Sequence, residues 1–217
     1  MRRWLWSAGL LATLGVGAGC AHSEAQQARS QGERVGEAVS KKVRFVDQLS
    51  LLNQQQIVLS KLALEKSTNP EVRRFAQEML QNHQRNEADL EALARSKTLA
   101  LSELDENWEQ QGLGGAGFEG AQKGVEKGQS GYDKQYDQRV DEFLVKREQL
   151  EGLSGPAFDK AFLDQVRKDQ KRGGKLVDQG LDDYRNDAAL AVFLGRTAPV
   201  FNSHEQQAES LRQAVGR

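Results

Sequence analysis

Cysteine occurs once and proline three times in 217 residues. The lone cysteine excludes an internal disulfide and any cysteine-based zinc site. So little proline leaves long stretches free to stay helical. No stretch reads as a strand. Neither sign of charge dominates: 30 Lys and Arg against 31 Asp and Glu leave a net charge of -1. A near-neutral chain implies no phosphate-tracking basic patch, so no nucleic-acid partner is expected. What abounds is Leu, Ala, Gln, Glu, Lys and Arg, and these favour helix. The length suits one domain of ordinary size with appendages.

The first twenty residues read as an address. Arg2 and Arg3 precede an apolar run from Trp4 to Gly19, which ends at Cys20. A basic start, a short apolar stretch and small residues before a cut are the marks of a signal peptide, here residues 1–19. A transmembrane helix needs about 20 apolar residues and lacks this ending. Ala18-Gly19-Cys20 resembles the lipobox of bacterial lipoproteins, although Gly17 stands where that motif usually has Leu. The resemblance implies that Cys20 is lipidated and becomes the new N-terminus. A plain cleaved signal peptide is the alternative. Ala21 is not the Asp that, by the same resemblance, retains lipoproteins in the inner membrane. The expected location is therefore the periplasmic side of the outer membrane, anchored by lipid; the alternative is a soluble periplasmic protein. Residues 20–34 then form the anchor and a small, polar, flexible tether.

Helical periodicity fills the domain, residues 35–217. A first helix is expected over about 35–66, with Phe45, Leu49, Leu52, Gln56, Leu59 and Ala63 in one stripe. Asn69 and Pro70 suit the cap and first turn of a second helix. Its seam places His83 and Asn86 among Val72, Ala76, Met79 and Leu90. The short connection makes these two helices antiparallel. Residues 98–155 form a crossover insertion: a short helix over 102–111, a loop over 112–131 with eight glycines, and a further helix from Tyr132. A third main helix starts at Ser154-Gly155-Pro156 and is weakened by Gly173-Gly174. Asn186-Asp187 caps the fourth, whose seam includes Leu190, Leu194, Phe201 and His204. Pro199 interrupts its hydrogen bonding and predicts a kink. The fold class is all-α: a four-helix bundle with a long crossover containing an extra helix.

Polar residues recur at mid-length in all four helices. Counted along antiparallel helices, Gln56 and His83 fall within about one turn, roughly 5 Å, of the same height. Asp169 and Gln170 match His204 in the same way. The buried polar layer is expected to comprise Gln56, Asn86 and Gln170 together with His83, Asp169 and His204. One reading is a satisfied hydrogen-bond network that fixes helix register. The other is a metal centre, with His83, His204 and Asp169 holding one iron or zinc ion. Di-iron bundles use two Glu-x-x-His motifs, and this chain has none. The network is favoured, and no cofactor is expected.

Three stretches carry a family resemblance: QQQIVLSKLALEKSTNPEVRRFAQEMLQNH, LSGPAFDKAFLDQ and TAPVFNSHEQQAESL. They resemble the bacterial domain of unknown function 4142, whose members are often described as outer-membrane proteins. The more specific pieces are Phe158-Asp159 and the spacing from Pro199 to His204. The resemblance implies a ferritin-like bundle with no established activity. Gln56 stands where the family commonly has Glu, Asn82 where it has Asp, and Gln170 where it has His. His83 and His204 match. A family metal site would be impaired by these changes.

The expected function is that of a lipid-anchored cell-envelope bundle, structural or interaction-related, without catalysis and not an enzyme. The alternative is a ferritin-like metal-binding or oxidoreductase protein. The membrane is the one implied partner, reached through the lipidated N-terminus; protein partners are not identified by the sequence.

Overall fold

The computed structural model describes residues 18–96 and 131–215. Five helices occupy them: α1 Ala18–Lys66, α2 Pro70–Ser96, α3 Tyr132–Glu151, α4 Gly155–Asp183 and α5 Ala188–Val215. Among the described residues there is no strand. The expected short helix over 102–111 and nearly all of the glycine-rich loop lie outside them.

Local chemistry sets the turns. Asn69 Oδ1 accepts the backbone N–H groups of Glu71 (2.9 Å) and Val72 (3.3 Å), so it caps α2 ahead of Pro70. Asp187 Oδ1 accepts from the N–H of Leu190 at 3.3 Å and caps α5. These short turns make α1–α2 and α4–α5 antiparallel hairpins. Helix α3 runs back along the outside. Tyr132 at its start donates to the carbonyl of Arg44 (3.3 Å), and just beyond its end the carbonyls of Glu151 and Leu153 accept from Lys66. The crossover therefore returns the chain from one end of the bundle to the other. The four long helices pack in the cyclic order α1, α2, α5, α4.

The core is two apolar clusters with a polar layer between them. One, toward the α1–α2 turn, is built from Leu59, Val72, Met79, Phe158, Phe162 and neighbours. The other, toward the α4–α5 turn, holds Phe45, Leu49, Leu90, Val177, Leu194 and Phe201. Each such side chain, fully buried, contributes about 1.5–3 kcal/mol of transfer free energy. The expected stripe of α1 is buried throughout, from Phe45 to Ala63.

Two expectations change. The first helix begins at Ala18, not near Val35, so the tether at 21–34 is part of α1. Its Ala, Gln, Glu and Arg residues are good helix formers, and extending an existing helix is far easier than starting one. Gly173-Gly174 lies inside an unbroken α4, and Gly173 lets α5 approach closely. In α2 the buried line passes through Glu87 rather than Asn86. Pro199 lies inside α5, which continues through it. Among the described residues no helix is long and apolar enough to cross a membrane.

Candidate functional site

The polar layer is a directional chain of hydrogen bonds. Glu87 of α2 is nearly buried and accepts from three side chains of α1: Ser50 Oγ, Gln54 Nε2 at 3.0 Å and Asn53 Nδ2 at 3.2 Å. That carboxylate fixes the amide of Asn53, whose Oδ1 then faces His83 Nδ1 at 2.9 Å. An amide oxygen can only accept, so the His83 proton resides on Nδ1. His83 Nε2 is left as acceptor and receives Gln170 Nε2 at 3.0 Å. The same Gln170 nitrogen donates to Gln56 Oε1 at 3.1 Å. Gln56 Nε2 then donates to Asp169 Oδ2 at 3.2 Å. Six side chains from α1, α2 and α4 thus run from Glu87 to Asp169, with a carboxylate at each end.

The far end reaches the surface. Asp169 also accepts from Gln165 Nε2 (2.9 Å) and from the guanidinium of Arg172 (3.1 Å). His204 of α5 stands beside the chain, not in it. Its ring lies 5.3 Å from that of His83 and meets the edge of Phe75 at 6.0 Å. His204 Nε2 contacts Asn82 Nδ2 at 3.1 Å, and Arg85 donates to Asn82 Oδ1 at 3.1 Å, which orients that amide as the donor to the imidazole. His204 Nδ1 is buried without a hydrogen-bond partner, as is Gln170 Oε1.

Burial sets the charge states. It pushes the His83 imidazole down to about 3, with help from neighbouring His204. It pushes His204 down to about 4, against the pull of Glu78. Both rings are neutral at pH 7. Burial raises Asp169 and Glu87, and the donors around each carboxylate oppose the rise.

The structure therefore brings Gln56, His83, Asp169 and Gln170 into one network and sets His204 against it. Asn86 is outside: it is half-buried, and its amide nitrogen has no partner. The sequence reading missed Asn53, Ser50 and Glu87. Asn53 lies four residues after Leu49 and three before Gln56, on the same face, and a wider stripe would have included it. Glu87 lies four residues after His83, where a charged residue is expected to face water. Among the described residues, no three His, Cys, Asp or Glu side chains gather where they could hold a metal ion. The amides of Gln56 and Gln170 stand between His83 and Asp169. The side chains present do not make the carboxylate-rich pair of sites used by di-iron bundles.

The model of a family described as Domain of unknown function (DUF4142) matches residues 24–211. The chain belongs to this family. The match takes in all five helices apart from the first residues of α1 and the last of α5. No curated protein and no solved structure matches the chain.

Proposed function

We propose that this DUF4142 protein is a cell-envelope helical bundle, anchored through lipid on Cys20, that serves as a structural or interaction module without catalysis. The observation that carries the reading is the state of His83. Both its ring nitrogens are engaged by side-chain amides, Asn53 on one side and Gln170 on the other. A metal would have to displace one of them and leave a buried amide unpartnered, at a cost of about 1–3 kcal/mol. His83 and His204 are both fully buried side chains, 0% and 1% exposed. The anchor rests on the basic and apolar start of the chain and its single cysteine.

A second reading, a mononuclear metal protein, is favoured by one observation: His204 Nδ1 is buried and unpartnered beside His83. Elemental analysis of the untagged chain from Ala21 onward, after challenge with iron and zinc, separates the two. Less than about 0.1 metal per chain supports the structural module. Near one per chain, lost in both His83→Ala and His204→Ala, establishes the metal protein. The anchor is tested by fractionation: Cys20→Ser should leave the membrane fraction, and its retention there sinks the lipid anchor.

A further inference from the structure

Away from the histidines, a cleft of about 110 Å³ opens between α1, α3 and α4. Its wall includes Leu51, Leu52 and Leu176, which are apolar, and the polar side chains around it belong to Gln55, Arg139 and Arg172 among others. No carboxylate lines it. Gln55 is only 2% exposed. Its Oε1 accepts from Arg172 at 3.4 Å, and its amide nitrogen has no partner among the described residues. That nitrogen is open to the cleft and can donate to a ligand there. Arg139, half-buried on α3, forms no ion pair among the described residues. Arg172 is shared with Asp169. The cleft thus offers one open amide N–H donor and two guanidinium groups above a leucine floor.

We propose that this cleft binds a small monocarboxylate with a short apolar tail. Guanidinium groups match a carboxylate in geometry and charge. The leucines match a tail of a few carbons, and the volume is that of roughly four water molecules at about 30 Å³ each. A bare phosphate leaves the leucines uncovered. Occupancy is felt in the core. A ligand carboxylate competes with Asp169 for Arg172, and Asp169 ends the chain that runs to His83.

The test is an NMR titration of the chain from Ala21 onward with butyrate, with butyramide and inorganic phosphate as controls. The side-chain amide of Gln55 is the reporter. The expected result is a saturable shift with butyrate, at least tenfold weaker binding of butyramide and phosphate, and at least tenfold weaker butyrate binding in Arg139→Gln. Arg139→Gln removes no hydrogen bond or ion pair seen here, so its melting temperature should stay within about 2 °C of the parent; this checks the fold. Leu176→Asn, at the floor, should weaken butyrate without creating phosphate binding. No saturable shift overturns the proposal. So does equal binding of butyramide, a preference for phosphate, or undiminished butyrate binding in Arg139→Gln. None of these outcomes depends on whether the histidines hold a metal.

Discussion

Gly173 of α4 lies directly under the ring of Phe201 of α5. A Cβ at that position would stand 2.1 Å from Cε1 and 2.4 Å from Cδ1 of the ring. Phe201 in turn packs edge-on against His83, with ring centroids 5.5 Å apart. The glycine therefore sets how close α5 comes to the polar layer. Gly173→Ala should destabilise the bundle by about 1–3 kcal/mol through overpacking, although helix propensity alone would favour alanine by about 1 kcal/mol. Gly174 is the control. Its Cβ would meet Asn202 Oδ1 at an ordinary 3.5 Å. Gly174→Ala should be neutral or stabilising by about 0.5–1 kcal/mol. Urea unfolding of both variants decides; equal effects would contradict the packing account.

Loss of His83 leaves Asn53 and Gln170 without their shared partner. His83→Ala should cost roughly 2–5 kcal/mol, from the orphaned amides and the cavity together. Asn86→Ala, one turn on, removes a half-buried amide whose nitrogen is already unpartnered, and should stay within about 0.5 kcal/mol of the parent. Chemical denaturation measures both. A large effect of Asn86→Ala would show that the network extends where the hydrogen bonds do not.

Acid should loosen the bundle in a definite window. His83 and His204 are held down to about 3 and about 4 when folded, against an unfolded value of 6.5. Between those values the unfolded chain binds more protons, so their contribution is full above 6.5 and falls as pH falls. The slope approaches about 1.4 kcal/mol per pH unit for each ring. Asp169 and Glu87, raised by burial, act in the opposite sense: their contribution is present at low pH and is lost as pH rises through their folded values. The decline should therefore begin near pH 6 and ease in the carboxylate range. His204→Gln should lower the slope by about one proton; stability that is flat from pH 7 to 4.5 would refute the assignment of buried neutral histidines.

Two amides separate this layer from a metal centre. Gln56 and Gln170 touch each other, and between them they touch Asp169 and His83, at 3.0–3.2 Å. Replacing both, Gln56→Glu with Gln170→His, puts a carboxylate and an imidazole beside His83 and Asp169. The double variant should take up zinc at near one ion per chain, read by elemental analysis, while the parent takes up none. Uptake by neither chain would mean that the four positions cannot converge on an ion.

The caps and seams of the hairpins were legible because they depend on short-range chemistry. Asn69, Pro70 and Asp187 act within one turn of themselves, and Leu190 to Ala208 repeat at helical spacing. Mid-length counting also brought Gln56, His83, Asp169 and Gln170 to one height. It could not show that Glu87 faces inward. Glu87 is buried because three α1 donors surround it, and that is a property of two helices at once. The packing role of Gly173 was hidden for the same reason: its cost within α4 is local, whereas its use depends on Phe201. The tether misled because composition alone does not separate a solvated coil from the continuation of a helix already begun.

That continuation changes the mechanics of the molecule. A string of 15 residues lets its load wander over a radius of roughly 20 Å in any orientation. Helix α1 instead spans 49 residues without a break, a rod of roughly 70 Å, whose lower portion is also one wall of the bundle. Lys41 and Lys42 of this rod grip Asp183 and Asp187 at the α4–α5 turn. Under the anchoring proposed at Cys20, the rod would set the height and the heading of the whole domain, as a mast fixes a sail.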